Sequence, residues 1–513
     1  MRYLVDAAEM RRADQTTQNT FGLDGSVLME RAALGVCRRI ETWWGETPHG
    51  NRPGEVLIYV GTGNNGGDGV AVGRILSQRG FHVQMRLLGP EEKRSEGLCA
   101  QLRTVMYTTV EFRDSFAGTT PDIIVDAMLG IGCSRPLTGE MADATAEITA
   151  YKAARGTELF VIAVDIPTGV NSDDGSVAGV AVRADATVTF AWEKLGLILY
   201  PGCTYAGEVS IEDIGVPQDA FLGQLPRTAV LDETVEELRP RRERAGNKGT
   251  FGKVLVAAGN AQVTGAAVLC AEAVLRTGAG MVRVCTHENG AQTLRVRLPE
   301  ALLNTWHDQD SMREQIRAAL GWADTVVAGP GIGTDEMGAA LLREILDGAP
   351  KKLVLDADAL NLIAADQELR KRLQELGDRT HGVILTPHLA EFARLRGSCS
   401  VKECRIHLLA WPAEMAEALG AVVVCKDARS LVAPPGFGLQ YLNISGNDGM
   451  ATAGSGDVLA GVIAALFAAG LPAEKAAAAG VRIHGLAGDA AAKRLGRCGM
   501  IAGDIVAELP AVQ

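Results

Sequence analysis

Basic side chains are in deficit: 50 Lys and Arg face 62 Asp and Glu in 513 residues, a net charge of −12. That sign disfavours an extended nucleic-acid surface or an anionic membrane as the main partner. Paired cysteine is missing too. The ten cysteines are scattered, with no CxxC pair, so neither a zinc module nor a disulfide framework is indicated. Buried free thiols in a reducing cytoplasm are the expectation. The N-terminus carries charges where an export signal needs an apolar run. The longest apolar stretch, Val458 to Leu471, stops at Pro472, short of the roughly 20 residues that span a bilayer, and reads as a buried helix. Short-period repeats and low-complexity tracts are absent as well. Glycine, by contrast, is abundant at 60 residues, against a usual share of roughly 7%, and glycine lets a backbone approach a phosphate closely.

At 47% hydrophobic and 22% charged the chain is globular rather than disordered, and its length exceeds what one core fills. Two helices divided by Gly22 and Gly25 open it, ahead of the first strand. Short apolar runs at Glu55–Val60, Phe81–Leu88, Asp122–Asp126, Leu159–Asp165 and Ala186–Ala191 then alternate with helical segments. That is the pattern of a parallel sheet buried on both faces. It lapses over Gln218–Arg244, rich in Pro, Gln, Glu and Arg, with one short helical candidate at Thr234–Leu238. A second series follows at Gly252–Gly259, Met281–Cys285, Thr325–Ala328, Lys352–Asp356, Val383–Leu385 and Ala421–Cys425. The fold class is α/β, two unlike domains in tandem, with the boundary placed between residues 224 and 225.

In the first domain, Gly61, Gly63 and Gly66 match a dinucleotide GxGxxG loosely, but Met85, Arg86 and Leu87 stand where that fingerprint wants an acid. The full string Asn64-Asn65-Gly66-Gly67-Asp68-Gly69 is more specific, packing amides and a carboxylate among glycines ahead of a helix expected from Val70 to Gln78. Two strands end in Asp126 and Asp165, each running into a Gly or Pro turn. Singly, such an Asp serves as a cap. Two of them beside the Asn-Gly-Gly-Asp loop mark the crevice where open α/β sheets bind ligands.

In the second domain, Asn447-Asp448-Gly449-Met450-Ala451-Thr452-Ala453-Gly454-Ser455-Gly456-Asp457 precedes the long apolar helix. A Gly-Ser-Gly turn feeding a helix leaves amide N–H groups aimed at one spot, a phosphate or oxyanion site. Asp457 in the first turn is placed to act as a general base toward a hydroxyl. The Gly329–Gly333, Leu355–Asn361, Thr386–Glu391 and Lys426–Ser430 loops each follow an expected strand and describe one crevice.

The first set of residues, with Ala8-Glu9-Met10, Leu28–Ala32, Val164–Gly169 and Lys194-Leu195-Gly196, resembles the NAD(P)H-hydrate epimerase domain. The resemblance implies a Rossmann-like domain in which Asn64, Asn65, Gly66, Gly67 and Asp68, with Gly130, Ile131, Gly132, Cys133, Ser134, Arg135 and Pro136, hold the hydrated dinucleotide. It implies a potassium ion on Asn65, Asp126 and Thr168, and Asp165 as the substrate-binding acid/base group. Cys133 has no activating His nearby and is read as a bystander.

The second set, with Lys248–Gly252, Gly265–Ala267 and Arg276–Gly280, looks like the ribokinase-like ADP-dependent NAD(P)H-hydrate dehydratases. That implies Ala266, Gly333, His388 and Asp457 at the substrate. It also implies Lys426, Asp427, Ala428, Arg429 and Ser430, with Asn447 through Gly456, around ADP as phosphoryl donor with a magnesium ion. Asn247, Leu389-Ala390, Asp427 and Ala453 depart from the family pattern. The other histidines, His49, His82, His287, His307, His381, His407 and His484, read as structural. The expected function is repair of hydrated nicotinamide dinucleotides, with NADHX, NADPHX and ADP as ligands, in a cytoplasmic homo-oligomer without nucleic-acid or membrane partners. The alternative is a ribokinase-like small-molecule hydroxyl kinase carrying a non-catalytic N-terminal binding domain.

Overall fold

The computed structural model describes residues 1–48, 52–397 and 399–512, so His49 lies outside the described residues. The chain divides into two compact units: Tyr3–Arg227, and Thr228–Gln513 together with Met1–Arg2.

The first unit is built on seven strands in the order Glu111–Phe112, His82–Leu87, Glu55–Val60, Ile123–Ala127, Phe160–Val164, Ala186–Phe190 and Glu208–Glu212, all pairs parallel. Both faces of the central strand are buried. Val56, Ile58 and Val60 join the helices Gly25–Glu46 and Asn64–Gln78 in one core, while Leu57 and Tyr59 pack with Ile148 of helix Glu140–Arg155 in another. This double burial is why the strands read as unbroken apolar runs rather than alternating ones.

Two local expectations fail. A short strand, Arg2–Val5, precedes the helices, with Leu4 and Val5 paired to Glu193 and Lys194; four residues carry too little periodicity to announce it. The helix expected from Val70 begins at Asn64, so the Asn-Gly-Gly-Asp string forms its first turns rather than a loop. The glycines there serve close packing. A Cβ on Gly66 would stand 2.1 Å from the Gly61 carbonyl oxygen, one on Gly69 2.3 Å from Ala127 Cβ, and one on Gly73 1.9 Å from Met85 Cε. The helix therefore rides directly on the strand ends.

The second unit orders its strands Leu302–Trp306, Met281–His287, Lys253–Ala257, Thr325–Ala328, Leu353–Leu355, Val383–Leu385, Val422–Cys425, Leu431–Ala433, Gln440–Leu442 and Thr228–Val230. Pairing is parallel as far as Val422–Cys425 and antiparallel across the next two ladders. The segment read as a lapse, Gln218–Arg244, holds the strand Thr228–Val230, paired in parallel to Gln440–Leu442, and the helix Val235–Leu238 capped by Thr234. The strand has only three residues, between Arg227 and Leu231, too few to show a period. Helices Gly265–Thr277, Ser455–Ala468 and Ala473–Leu495 cover one face of the sheet in a continuous apolar core. Helix Ser455–Ala468 is buried nearly all round, which explains its apolar run. Among the described residues no helix is long and apolar enough to cross a membrane, and the ten cysteines are thiols rather than disulfides.

Candidate active sites

In the first unit the C-terminal ends of the central strands meet the first turn of helix Asn64–Gln78. Asp165, just past strand Phe160–Val164, has a φ of 68°, a conformation held by its amide donating to the Val188 carbonyl at 2.8 Å. Its Oδ1 takes Lys194 Nζ at 2.6 Å, Thr189 Oγ1 at 3.2 Å and the Phe190 amide at 3.4 Å. Oδ2 is left free toward the substrate loop, since a Cβ on Gly130 would meet it at 3.2 Å and Asn65 Oδ1 at 3.3 Å. The expected residues Asn65, Gly130 and Asp165 therefore converge.

Lys194 is 1% exposed and also donates to Thr189 Oγ1 and the Phe190 carbonyl. Its role was not read from the sequence beyond the motif around it; a lysine standing directly before the largely apolar segment Leu195–Leu199 was the available signal.

Two further carboxyls face this pair. Burial, then Asp165 and Asp14, push the Asp68 carboxyl well above its ordinary range, with Lys194 opposing. Asp14, which sequence reasoning missed, is pushed up by burial and Asp165 against the pull of Lys194.

Asp126 is fully buried, accepts from Thr168 at 2.6 and 2.7 Å through its hydroxyl and amide, and is pushed up to about 6 by burial. Thr168 Oγ1 in turn accepts from the Leu129 amide. Both side-chain polar atoms of Asn65 are shielded from solvent without a hydrogen-bond partner. In the substrate loop Cys133 is buried and Ser134, Arg135 and Pro136 form the exposed rim. Burial raises the Cys133 thiol, so it is no thiolate nucleophile.

In the second unit Gly454 takes a φ of 89° and starts helix Ser455–Ala468 with no side-chain cap. The first intrahelical amide bond is Val458 to Gly454, so the Gly456 and Asp457 amides have no acceptor one turn back. Lys426, after strand Val422–Cys425, reaches Asp356 Oδ1 at 2.7 Å, and a Cβ on Gly456 would stand 3.2 Å from Lys426 Nζ. The bare helix end, an ammonium and two carboxylates thus share one spot. Asp457 is pushed up to about 7 by burial, then Asp356, with Lys426 opposing and Asp358 and Glu391 adding. Behind the turn, burial lowers His484 to about 4, leaving a neutral ring 3.4 Å from Ser455 Oγ.

The remaining residues occupy the same strand ends. The Gly333 amide donates to Asp358 Oδ2 at 2.9 Å, and Ala266 lies beside Gly331. His388 Nδ1 accepts from the Ala390 and Glu391 amides while Nε2 lies 3.2 Å from Glu391 Oε1. That leaves the ring face and edge for a ligand. Asn447 is tied to Gly488 and Asp489 and shapes the turn Asp448–Met450. Asp448 faces Arg497, and Ser430 bonds back to Asp427.

The departures are absorbed. Ala453 needs no positive φ, which falls to Gly454. Asp427 is chelated by Arg405 at 2.7 and 3.0 Å. Leu389 is buried, and Asn247 Oδ1 takes the Gly249 amide.

Two family models match, one described as NAD(P)H-hydrate dehydratase over residues 254–511 and one as YjeF-related protein N-terminus over 25–196. A bifunctional NAD(P)H-hydrate repair enzyme of Moorella thermoacetica is 36% identical over 99% of this chain and 96% of its own length. One of Escherichia coli is 32% identical over 98% and 92%. Among solved structures, an ADP/ATP-dependent NAD(P)H-hydrate dehydratase of Bacillus subtilis, co-crystallised with ATP/Mg2+, is 28% identical over 54% of this chain and 96% of that one, with a TM-score of 0.45.

Proposed function

This chain belongs to the bifunctional NAD(P)H-hydrate repair enzymes, and from that premise we propose that its two sites act in series on hydrated nicotinamide dinucleotides. The first domain, residues 1–224, interconverts the (6R) and (6S) forms of NADHX and NADPHX. The second, residues 225–513, removes water from the (6S) form at the expense of ADP and returns NADH or NADPH. The observation that carries the reading is Asp457: a carboxyl poised at about 7 at an uncapped helix N-terminus, as a general base beside a phosphate site must be.

In the first site Asp165, oriented by its 2.6 Å contact with Lys194, presents Oδ2 to the C6 centre and moves the proton that inversion requires. A potassium ion would be held by oxygen donors. Asn65 has an unused buried amide oxygen, and Asp126 is a buried carboxylate that accepts from the neutral donors of Thr168 and Met128, so the residues fit the group. Bound there, the cation would offset the buried charge of Asp126 and fix the helix start.

In the second site Asp457 takes the C6 hydroxyl proton as that oxygen attacks the terminal phosphoryl group of ADP. The Gly456 and Asp457 amides, with Lys426, stabilise the charge on the transferring group. The phosphorylated oxygen then leaves with its bonding pair as C5 loses a proton, restoring the dihydropyridine. Among the described residues no cluster of three His, Cys, Asp or Glu side chains could cage a metal. Magnesium is therefore assigned to the nucleotide's own phosphates, the usual arrangement for that ion. The free thiols and acidic balance support a cytoplasmic protein, and we take it as a homo-oligomer.

The test is incubation of the full chain with mixed NADHX epimers, with and without ADP, followed by chromatography. Without ADP the epimer ratio should move to equilibrium; with ADP both epimers should drain into NADH. Phosphorylation of a small alcohol by ATP with both epimers untouched would favour the hydroxyl kinase instead.

A further inference from the structure

Two thiols that the chemistry above does not use meet in the second unit. Cys399 and Cys404 flank the start of helix Val401–Ile406, whose N-cap is Ser400. Ser400 Oγ accepts from the Glu403 amide at 3.2 Å, and Glu403 Oε2 accepts from the Ser400 amide at 2.7 Å, a reciprocal cap that fixes how the chain enters the helix. With Ser400 as the cap, Cys399 stands one position before it and Cys404 is the fourth helical residue. Those are the two positions whose side chains pack together when a hydrophobic pair staples a helix start. Here the staple is made of sulfur, and the two Sγ atoms lie 3.5 Å apart. Cys404 is buried and Cys399 half-buried. His407, close by in sequence, stacks on Trp411 at 4.4 Å, and among the described residues no three His, Cys, Asp or Glu side chains could hold a metal, so the pair is read as a dithiol. The next residue connects it to the site. Arg405 Nε and Nη2 donate to Asp427 Oδ2 and Oδ1 at 2.7 and 3.0 Å, and Asp427 belongs to the Lys426 to Ser430 segment that the family resemblance puts around ADP. The Asp427 carbonyl accepts from Ser430 Oγ at 3.2 Å, so the Arg405 fork anchors one end of that turn.

We propose that Cys399 and Cys404 are a site of reversible oxidation, closed to a disulfide by a peroxide, and that closure loosens the hold of Arg405 on the nucleotide segment. The effect on ADP rests on the dehydratase reading of the second site; the disulfide itself does not. Cys399 is the accessible thiol and reacts first. Its sulfur takes one peroxide oxygen, the O–O bond breaks, and the leaving hydroxide joins the Cys399 proton as water. The Cys404 sulfur then attacks the Cys399 sulfur. The S–S bond forms, the S–O bond breaks, and the hydroxyl leaves with the Cys404 proton as a second water. The two thiols lose two electrons and the peroxide gains them. Burial, with the Cys399 sulfur beside it, pushes the Cys404 thiol up to about 12, which suits the second step and not the first. An S–S bond is about 2.05 Å long, so the sulfurs must approach by about 1.5 Å. The helix that carries Cys404 has six residues, and the shift passes straight to Arg405. A bidentate pair tolerates little of it, because a hydrogen bond stretched to about 3.6 Å is no longer one.

The test exposes the full chain to hydrogen peroxide, wild type beside Cys399→Ala, Cys404→Ala and Arg405→Met, and measures ADP binding before and after. Trypsin cuts after Lys402, between the two cysteines, so once free thiols are blocked a disulfide joins peptides 397–402 and 403–405 that otherwise separate. Mass spectrometry of the wild-type digest should show the joined pair, and dithiothreitol should part it. ADP affinity of the wild type should fall about fivefold or more on oxidation and recover on reduction. Cys399→Ala and Cys404→Ala should bind ADP as the reduced wild type does, with or without peroxide, which separates this site from oxidation at the exposed Cys498. Arg405→Met should bind ADP more weakly from the start and lose nothing further on oxidation. No joined peptide under conditions that oxidise Cys498 would overturn the site. A joined peptide with unchanged ADP affinity, or an equal loss of affinity in Cys404→Ala, would overturn the link through Arg405. A reduced wild-type chain that binds no ADP would instead overturn the dehydratase reading, with the digest still deciding the disulfide.

Discussion

Replacing Asp457 by Asn should make the second domain worse at its chemistry and more stable at once. The carboxyl is moved from 3.8 to about 7, first by burial, so its ionised form is held against a cost. Below pH 4 both the folded and unfolded carboxyls are protonated and the cost is absent. It grows as pH rises from about 4 to about 7, where the unfolded group has released its proton and the folded one has not, and above pH 7 it is complete. A displacement of that size is worth at most ~4 kcal/mol. An Asn amide in the same half-buried place is itself imperfectly solvated, so a gain of roughly 1–2 kcal/mol should remain at pH 8. The helix start should be unaffected, because its N-terminus has no side-chain cap to lose. Dehydration should slow by about 10²-fold or more, while ADP affinity stays within a few-fold, since the Gly456 amide and Lys426 are untouched. Thermal unfolding at pH 8 and pH 5.5, with dehydration and ADP titration on the same sample, reads all three. The variant should melt several degrees higher at pH 8, with a smaller gain at pH 5.5. Unchanged dehydration, or a variant less stable than wild type at pH 8, would refute the argument that burial of a functional carboxylate sets this site.

Dehydration by the wild-type chain should fall about tenfold per pH unit below about 7, the value at which Asp457 loses its proton; a loss on the alkaline side instead would remove Asp457 as the base. Asp165→Asn should abolish epimerisation and spare dehydration of the (6S) epimer. Lys194→Met should slow epimerisation, because Asp165 loses the hydrogen bond that orients it, and should cost about 3 kcal/mol for the unpaired buried charge; an unchanged rate would sever Lys194 from the mechanism. Gly69→Ala should destabilise the first domain by roughly 1–3 kcal/mol, as its Cβ would sit 2.3 Å from Ala127 Cβ. Exchanging potassium for lithium should slow epimerisation in the wild type and leave any residual rate of Asn65→Ala unchanged, measured under matched ionic strength.

The elements best read from the sequence are those whose signal is local. Strands Glu55–Val60, Ile123–Ala127 and Phe160–Val164 are buried on both faces, so each is an apolar run that needs no partner to be recognised. Helix Ser455–Ala468 announces itself the same way, with Asp457 in its first turn, and the turn after strand Phe160–Val164 carries Asp165 within a contiguous string. The chemistry at the ends of parallel strands was thus legible as motif. Two of the short strands were not. Thr228–Val230 and Gln440–Leu442 have three residues each, too few to show a period, and exist because a neighbouring strand supplies the ladder.

What tertiary structure alone decided is which charges meet. Lys194 lies 29 residues from Asp165 and Lys426 lies 70 from Asp356, and no local pattern couples them. Asp14 sits in an amphipathic helix that would read the same were it solvated. The glycines of Asn64–Gly69 look like a phosphate loop in sequence, yet Gly66 and Gly69 are there because backbone and methyl groups from other elements leave no room for a Cβ. Residue types and their order determine where strands end and which functional groups stand there. Burial, and with it the protonation of Asp457, Asp68 and Asp126, depends on what the fold brings within a few ångströms, because desolvation and Coulomb interaction act through space and not along the chain.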